Sequence, residues 1–323
     1  MFDIFNEIRD AYQRIHAQIR KTPLDYSIGL SRLLGCQVYL KCENLQYTGA
    51  FKARGAINKL LSLTDQQREQ GVVAASSGNH GAAVAFGLKK LNIRGIIFVP
   101  ENAASTKVDN IRNYDVPLEF YGTDTMHTEL YARDYANQHH MIYISPYNDP
   151  QVIGGQGTIG LEISQQLDRV DAVFVPIGGG GLISGIAGHL KTASPQTNII
   201  GCLPANSPVM AESIKSGHII NMETKPTLSD ATAGGISPNA ITFEICQKLV
   251  DDYVLVTEDE IKQAIITLIK NQHLLIEGAA GVALASLIKH AESWRDKNVV
   301  VVLSGANISL ETLKNCIIPD PGY

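Results

Sequence analysis

The segment Ala172-Val173-Phe174-Val175-Pro176-Ile177-Gly178-Gly179-Gly180-Gly181-Leu182 reads as a buried strand, a glycine turn and the start of a helix running to Lys191. A short continuous apolar run fits a strand covered on both faces, as in a parallel sheet. Four successive glycines free the backbone to turn its N–H groups towards one point, at an entropic cost too large for a casual turn. The positive end of the following helix completes a cradle for phosphate. The dinucleotide spacing fails, because Ile183 and Ser184 stand where the two registers need a third glycine, and no Asp or Glu lies near position 198. No Gly-Lys-Ser/Thr follows either. The cradle suits a small, isolated phosphate.

Outward from this segment, strands and helices alternate. Before it come Val38–Lys41, Val72–Ala75, Ile96–Val99, Leu118–Phe120 and Ile142–Ile144, with helices expected over 3–19, 53–63, up to Leu91, 105–114 and 125–140. After Pro146 a helix is expected over about Gly157–Leu167. Strands at 199–203, 253–256 and 299–303 follow, and Thr257-Glu258-Asp259-Glu260 is a capping box for a helix to about Asn271. The pattern predicts an α/β protein of two doubly wound domains. A small parallel-sheet domain, 71–146, is inserted into a larger one made of 1–70 and 147–323.

The 323 residues are 45% hydrophobic and 18% charged, a globular composition with ample material for a core. A net charge of −5 without a basic block excludes nucleic acid and anionic membranes as expected partners. No apolar run approaches a membrane span, and Met1–Glu7 reads as an acidic helix start rather than a signal peptide. Cys36, Cys42, Cys202, Cys246 and Cys316 are odd in number, lack a C-x-x-C pair and read as free thiols of a reducing compartment, the cytoplasm.

The stretch Tyr47-Thr48-Gly49-Ala50-Phe51-Lys52-Ala53-Arg54-Gly55-Ala56 places a lysine at a loop-to-helix junction beside an aromatic ring. Partial desolvation there favours the neutral, nucleophilic amine that a Schiff-base lysine needs. On position alone Lys52 reads first as an ordinary surface lysine, and the rest of the chain is what raises the other reading.

Lys52, Ser76-Ser77-Gly78-Asn79-His80-Gly81, the tetraglycine and Ser304-Gly305-Ala306-Asn307 follow one another in register, with Gly154–Glu162 between. Together they resemble the fold-type II pyridoxal-phosphate enzymes, whose fold is like that of the tryptophan synthase β subunit. Within that class the chain is similar to the threonine dehydratase and serine racemase group, over nearly its whole length. The resemblance implies pyridoxal 5′-phosphate bound through Lys52, with Phe51 near the ring and Asn79 on its 3′ oxygen. Gly178, Gly179, Gly180, Gly181 and Leu182 would hold the phosphate, Ser304 would face the pyridine nitrogen and Glu277 would lie beside the cofactor. Ser76, Ser77, Asn79, His80 and Tyr147 would meet the substrate. Read without the resemblance, Ser77 is a helix cap, His80 a structural donor, Ser304 a turn residue and Glu277 a first-turn helix acid.

The implied activity is dehydration and deamination of an L-3-hydroxy amino acid, such as threonine or serine, to a 2-keto acid and ammonia. Lys52 is its base, in a cytoplasmic homodimer. Ser77 matches a residue that racemases of this group use on the opposite ring face, so serine racemization is an alternative. Tyr147 argues against a dedicated racemase, since racemases tend to carry Asn there. Leu203-Pro204-Ala205-Asn206-Ser207-Pro208-Val209 lacks the carboxylates of the group's metal-binding run, so no metal is expected. Ala50 stands where the group usually has Ser, and Leu228–Ile236 departs from the common wording near the substrate side chain. A 3-hydroxyaspartate-type substrate therefore stays open. With little chain after Ser304, feedback inhibition by isoleucine is not expected.

Overall fold

The computed structural model describes residues 3–317. In chain order the elements are α1 (Ile4–Ile15), β1 (Leu24–Tyr26), α2 (Ile28–Leu34), β2 (Gln37–Lys41), α3 (Lys52–Ser62), α4 (Asp65–Gln70), β3 (Val72–Ala75), α5 (Asn79–Leu91), β4 (Gly95–Val99), α6 (Ser105–Arg112), β5 (Leu118–Phe120), α7 (Thr125–Gln138) and β6 (Ile142–Tyr143). They continue as α8 (Pro150–Gln166), β7 (Ala172–Pro176), α9 (Gly181–Ala193), β8 (Asn198–Pro204), α10 (Val209–Ser216), α11 (Ile241–Leu249), β9 (Asp252–Val256), α12 (Glu258–Gln272), α13 (Gly278–Lys289), β10 (Asn298–Val302) and α14 (Leu310–Ile317).

Two sheets result. The larger runs β1-β2-β10-β7-β8-β9, parallel throughout except for the edge strand β1, which pairs antiparallel with β2. The smaller runs β5-β4-β3-β6 and is wholly parallel. Successive side chains of a strand point to opposite faces, and both sheets use that alternation to build two cores each. In β10, Val299 and Val301 join the cluster under α12 and α13, while Val300 and Val302 join the one under α9 and α11. In the smaller sheet Val72, Ala74, Ile97 and Val99 pack on one face, and Val73, Ala75, Ile96 and Phe98 on the other.

The strands of the smaller sheet all come from residues 72–143, and those of the larger from outside that span. Helix α3, which the sequence division assigns to the larger unit, buries Ala56 and Leu60 in the smaller sheet's core. No helix among the described residues is long and apolar enough to cross a membrane.

Helix α8 begins at Pro150, about two turns before the start near Gly157 expected from the sequence. Asp149 caps it, accepting from the backbone N–H groups of Gln151 and Val152, and Pro150 fills its first turn. The glycines that weaken its intrinsic propensity are there for close approach: a Cβ on Gly155 would lie 2.6 Å from the Arg54 carbonyl, and one on Gly160 2.9 Å from that of Ile186.

Candidate active site

The turn after β10 is hydrogen-bonded to the loop that carries Lys52, and Pro146, which accepts from the Lys52 amine, directly precedes Tyr147, which walls the glycine turn after β7. Phe51 donates its backbone N–H to the Ser304 carbonyl at 3.0 Å, and Ala306 donates to that of Gly49 at 2.8 Å. The loop turns through left-handed residues Thr48 and Gly49 (φ 65° and 70°), a conformation that costs a β-branched residue energy and a glycine little. It then enters α3 directly at Lys52.

The Lys52 amine donates to the Pro146 carbonyl at 2.7 Å and lies 5.1 Å from the centre of the Phe51 ring. Burial lowers its pKa to about 8, with the Glu277 carboxylate acting in the opposite direction. Close by, His80 Nε2 donates to the Ile144 carbonyl at 3.0 Å. Burial first, and the Lys52 charge second, push His80 down to about 3. The imidazole is thus neutral and structurally committed.

Asn79 and Glu277 meet across the seam between the two units. Asn79 donates through Nδ2 to both Glu277 oxygens, and its own Oδ1 accepts from Asn307 at 2.7 Å. Asn307 also donates to the Thr48 carbonyl at 2.9 Å, tying the pair back to the lysine loop. Glu277 stands at the N-cap of α13 without capping it. Its side chain is 3% exposed, and burial raises its pKa to about 7. A side chain on Gly305 would strike it, Cβ to Oε1 2.6 Å.

The tetraglycine turn is walled closely. Gly180 is the left-handed N-cap of α9 (φ 85°). A Cβ on Gly178 would lie 2.9 Å from the Thr232 Cα, and one on Gly181 2.9 Å from the Tyr147 Cβ. Thr242 holds the turn from outside, donating to the Gly179 carbonyl at 2.7 Å. Leu182 turns its side chain into the core under α9, so only its backbone faces the turn. Tyr147 is tethered through its hydroxyl to Ser237, Oη to Oγ 2.8 Å.

The half-buried serines sit in the turn before α5. Ser76 Oγ accepts from the Gly78 N–H at 3.1 Å. Ser77 does not cap α5: the N-cap is Gly78 and no side chain caps that terminus. The first N–H groups of α5 are therefore open to an anion such as a carboxylate.

The donor set fits pyridoxal phosphate. Ser304 Oγ is buried and lacks a hydrogen-bond partner among the described residues, which a ring nitrogen would supply. All five cysteines are buried and free.

Sequence reasoning missed Asn307, although its tetrapeptide was in view, and it missed a buried charge cluster behind Lys52. Arg54 is fully buried and donates through Nε and Nη2 to Glu43, both at 2.8 Å, and through Nη1 and Nη2 to Glu162 at 2.7 and 2.9 Å. Lys41 joins Glu162 at 2.6 Å. Burial would raise the Glu162 carboxyl, but Arg54 and Lys41 outweigh it and hold it below its ordinary value.

Known proteins resemble this chain over most of its length. A family model described as pyridoxal-phosphate dependent enzyme matches residues 15–305. The catabolic L-threonine dehydratase of Escherichia coli is 41% identical over 307 residues, 94% of this chain and 93% of that protein. The processed form of threonine deaminase isoform 2 from Solanum lycopersicum superposes with a TM-score of 0.93 at 34% identity, covering 97% of this chain and 87% of that one. Maize serine racemase superposes with a TM-score of 0.92 at 31% identity, covering 98% and 97%.

Proposed function

The chain belongs to the pyridoxal-phosphate dependent enzymes, and from that premise we propose that it is a dehydratase converting an L-3-hydroxy amino acid, such as threonine or serine, to a 2-keto acid and ammonia. The observation that carries this reading is the buried Ser304 hydroxyl, without a hydrogen-bond partner among the described residues, on the strand end that also receives the Lys52 loop. Relatives named threonine dehydratase and threonine deaminase support it.

When bound, pyridoxal phosphate supplies an aldehyde that captures the substrate amine and a ring that accepts electrons from Cα. Lys52 would hold it covalently, Gly178–Leu182 its phosphate, Ser304 its ring nitrogen and Phe51 its face; Asn79 would reach its 3′ oxygen only by turning one of its two Nδ2 hydrogens away from Glu277. A serine hydroxyl, unlike a carboxylate, does not keep that nitrogen protonated. Ser304 would thereby leave the ring a weaker electron sink, which disfavours transamination relative to loss of the β-hydroxyl.

The substrate carboxylate meets Ser76, Ser77, Asn79 and His80, where the uncapped start of α5 attracts it. Tyr147, pinned to Ser237, borders the glycine turn. Displaced from the aldehyde by the substrate amine, and with its pKa lowered to about 8 by burial, the freed Lys52 amine would be neutral often enough near pH 7 to take the Cα proton. Glu277 and Asn79 stay beside this centre as a buried hydrogen-bonded pair.

A keto-acid assay of the holoenzyme across threonine, serine and 3-hydroxyaspartate tests the reading. Turnover of at least one is expected, and turnover of none would refute it. Serine racemization is the second reading, favoured by the Ser77 hydroxyl, which is not used as a cap. The five buried free thiols support a reducing, cytoplasmic setting. We also infer a homodimer, on the family resemblance alone; light scattering on the purified protein checks it.

A further inference from the structure

Asp230 begins a single 3₁₀ turn, Asp230–Thr232, wedged between two parts of the site. On one side Thr232 walls Gly178, and on the other the Leu228 carbonyl closes on Gly278, the residue after Glu277. The turn is stiffened by a 2.5 Å Ser229–Thr232 hydroxyl contact and by the Leu228 N–H donating to Glu258 at 2.7 Å. Across the seam, α6 is anchored in the smaller sheet's core by Val108 and Ile111. From its first turn Lys107 reaches over and pairs with Asp230, Nζ to Oδ2 2.5 Å. Both side chains are about half exposed, 40% and 55%.

We propose that Lys107 and Asp230 are a positioning pair that holds the smaller unit against the glycine turn and so keeps Asn79 on Glu277. The proposal rests on the functional reading only for the identity of the substrate. The pair touches no reacting atom and acts through the apposition of the two units. An exposed pair of this kind has a modest effect, on the order of twofold to fivefold in an equilibrium. That is enough to tune how closely the two units are held together at the site.

The pair also leaves an electrostatic signature. Glu277 is faced by Asp230 from the 3₁₀ turn, which raises its pKa, and by Lys107 from α6, which lowers it. Lys52 from α3 also interacts with it, while the amides of Asn79 and Asn307 do not titrate. Removing either member of the pair unbalances the other, with opposite signs.

The test compares holoenzyme with Lys107→Met, Asp230→Asn and the exchanged double variant Lys107→Asp/Asp230→Lys. Each single variant should speed hydrogen exchange in 105–112 and 228–236 and raise KM about twofold to fivefold at nearly unchanged kcat. The double variant should restore both. The pH at which the Glu277 carboxyl ionises, read by infrared difference spectroscopy of the holoenzyme, should move up for Lys107→Met and down for Asp230→Asn. Wild-type exchange in the single variants, or a double variant no better than they are, would overturn the proposal, as would pH shifts of the same sign. If no 3-hydroxy amino acid is turned over, the reaction assignment fails while the exchange comparison still decides the pair.

Discussion

Asn79 Nδ2 donates to both oxygens of the Glu277 carboxylate, at 3.0 and 2.9 Å, from the opposite side of the seam between the two sheets. Glu277 is nevertheless raised to about 7, because burial outweighs the amide. A carboxyl raised above its unfolded value binds its proton more tightly in the native state, so its contribution is lost as pH rises from about 4.5 through 7. Glu277→Gln cannot ionise. Relative to wild type, its cofactor-free stability should improve between pH 4.5 and 8, by about 3 kcal/mol at most. Melting curves at several pH values check this, and a difference that does not change with pH would contradict it.

Gly178 is held against backbone, not against a side chain that could swing away. Gly178→Ala should cost about 1–3 kcal/mol and loosen the cradle, lowering the cofactor retained after dialysis. Gly235 has nothing within 4 Å of a built Cβ, so Gly235→Ala is the matched control and should retain cofactor as wild type does. Absorbance of the dialysed proteins at equal fold content distinguishes them.

Ser77 lies in the turn before α5 without capping it. If it returns a proton to the substrate, Ser77→Ala should lower D-serine formation from L-serine by about tenfold or more. Keto-acid formation should stay within a few-fold of wild type. Chiral chromatography and the keto-acid assay on the same sample read both quantities.

Arg54 satisfies two buried carboxylates at once. Arg54→Met leaves Glu43 and Glu162 with Lys41 as their only buried cation in this cluster and should destabilise the protein by about 3–5 kcal/mol. The triple variant with Glu43→Gln and Glu162→Gln should recover much of that loss. Denaturant titrations measure it; an additive loss in the triple variant would argue against the pairing.

Much of this was legible in the chain because its signals are local. The apolar runs at 72–75, 172–176 and 299–302 are strands, and the box at Thr257 and Glu260 caps α12 as read. What escaped depends on tertiary contacts. The glycines of α8 look like breakers until Arg54 and Ile186 are seen packed against them. Strand β1 is three residues long and exists through its pairing with β2. Glu43 and Arg54 are 11 residues apart, but Glu162, which joins them, is 108 residues from Arg54, so no local spacing reveals the cluster. Glu277 looks like a first-turn helix acid, yet its carboxylate is turned to Asn79.

The amine of Lys52 is the point on which the chemistry turns. Borohydride reduction of the purified holoenzyme, followed by peptide mass spectrometry, should place a single pyridoxyl-phosphate tag on the peptide containing Lys52 and nowhere else. A tag on another lysine, or no tag on a protein that binds the cofactor, would contradict the account.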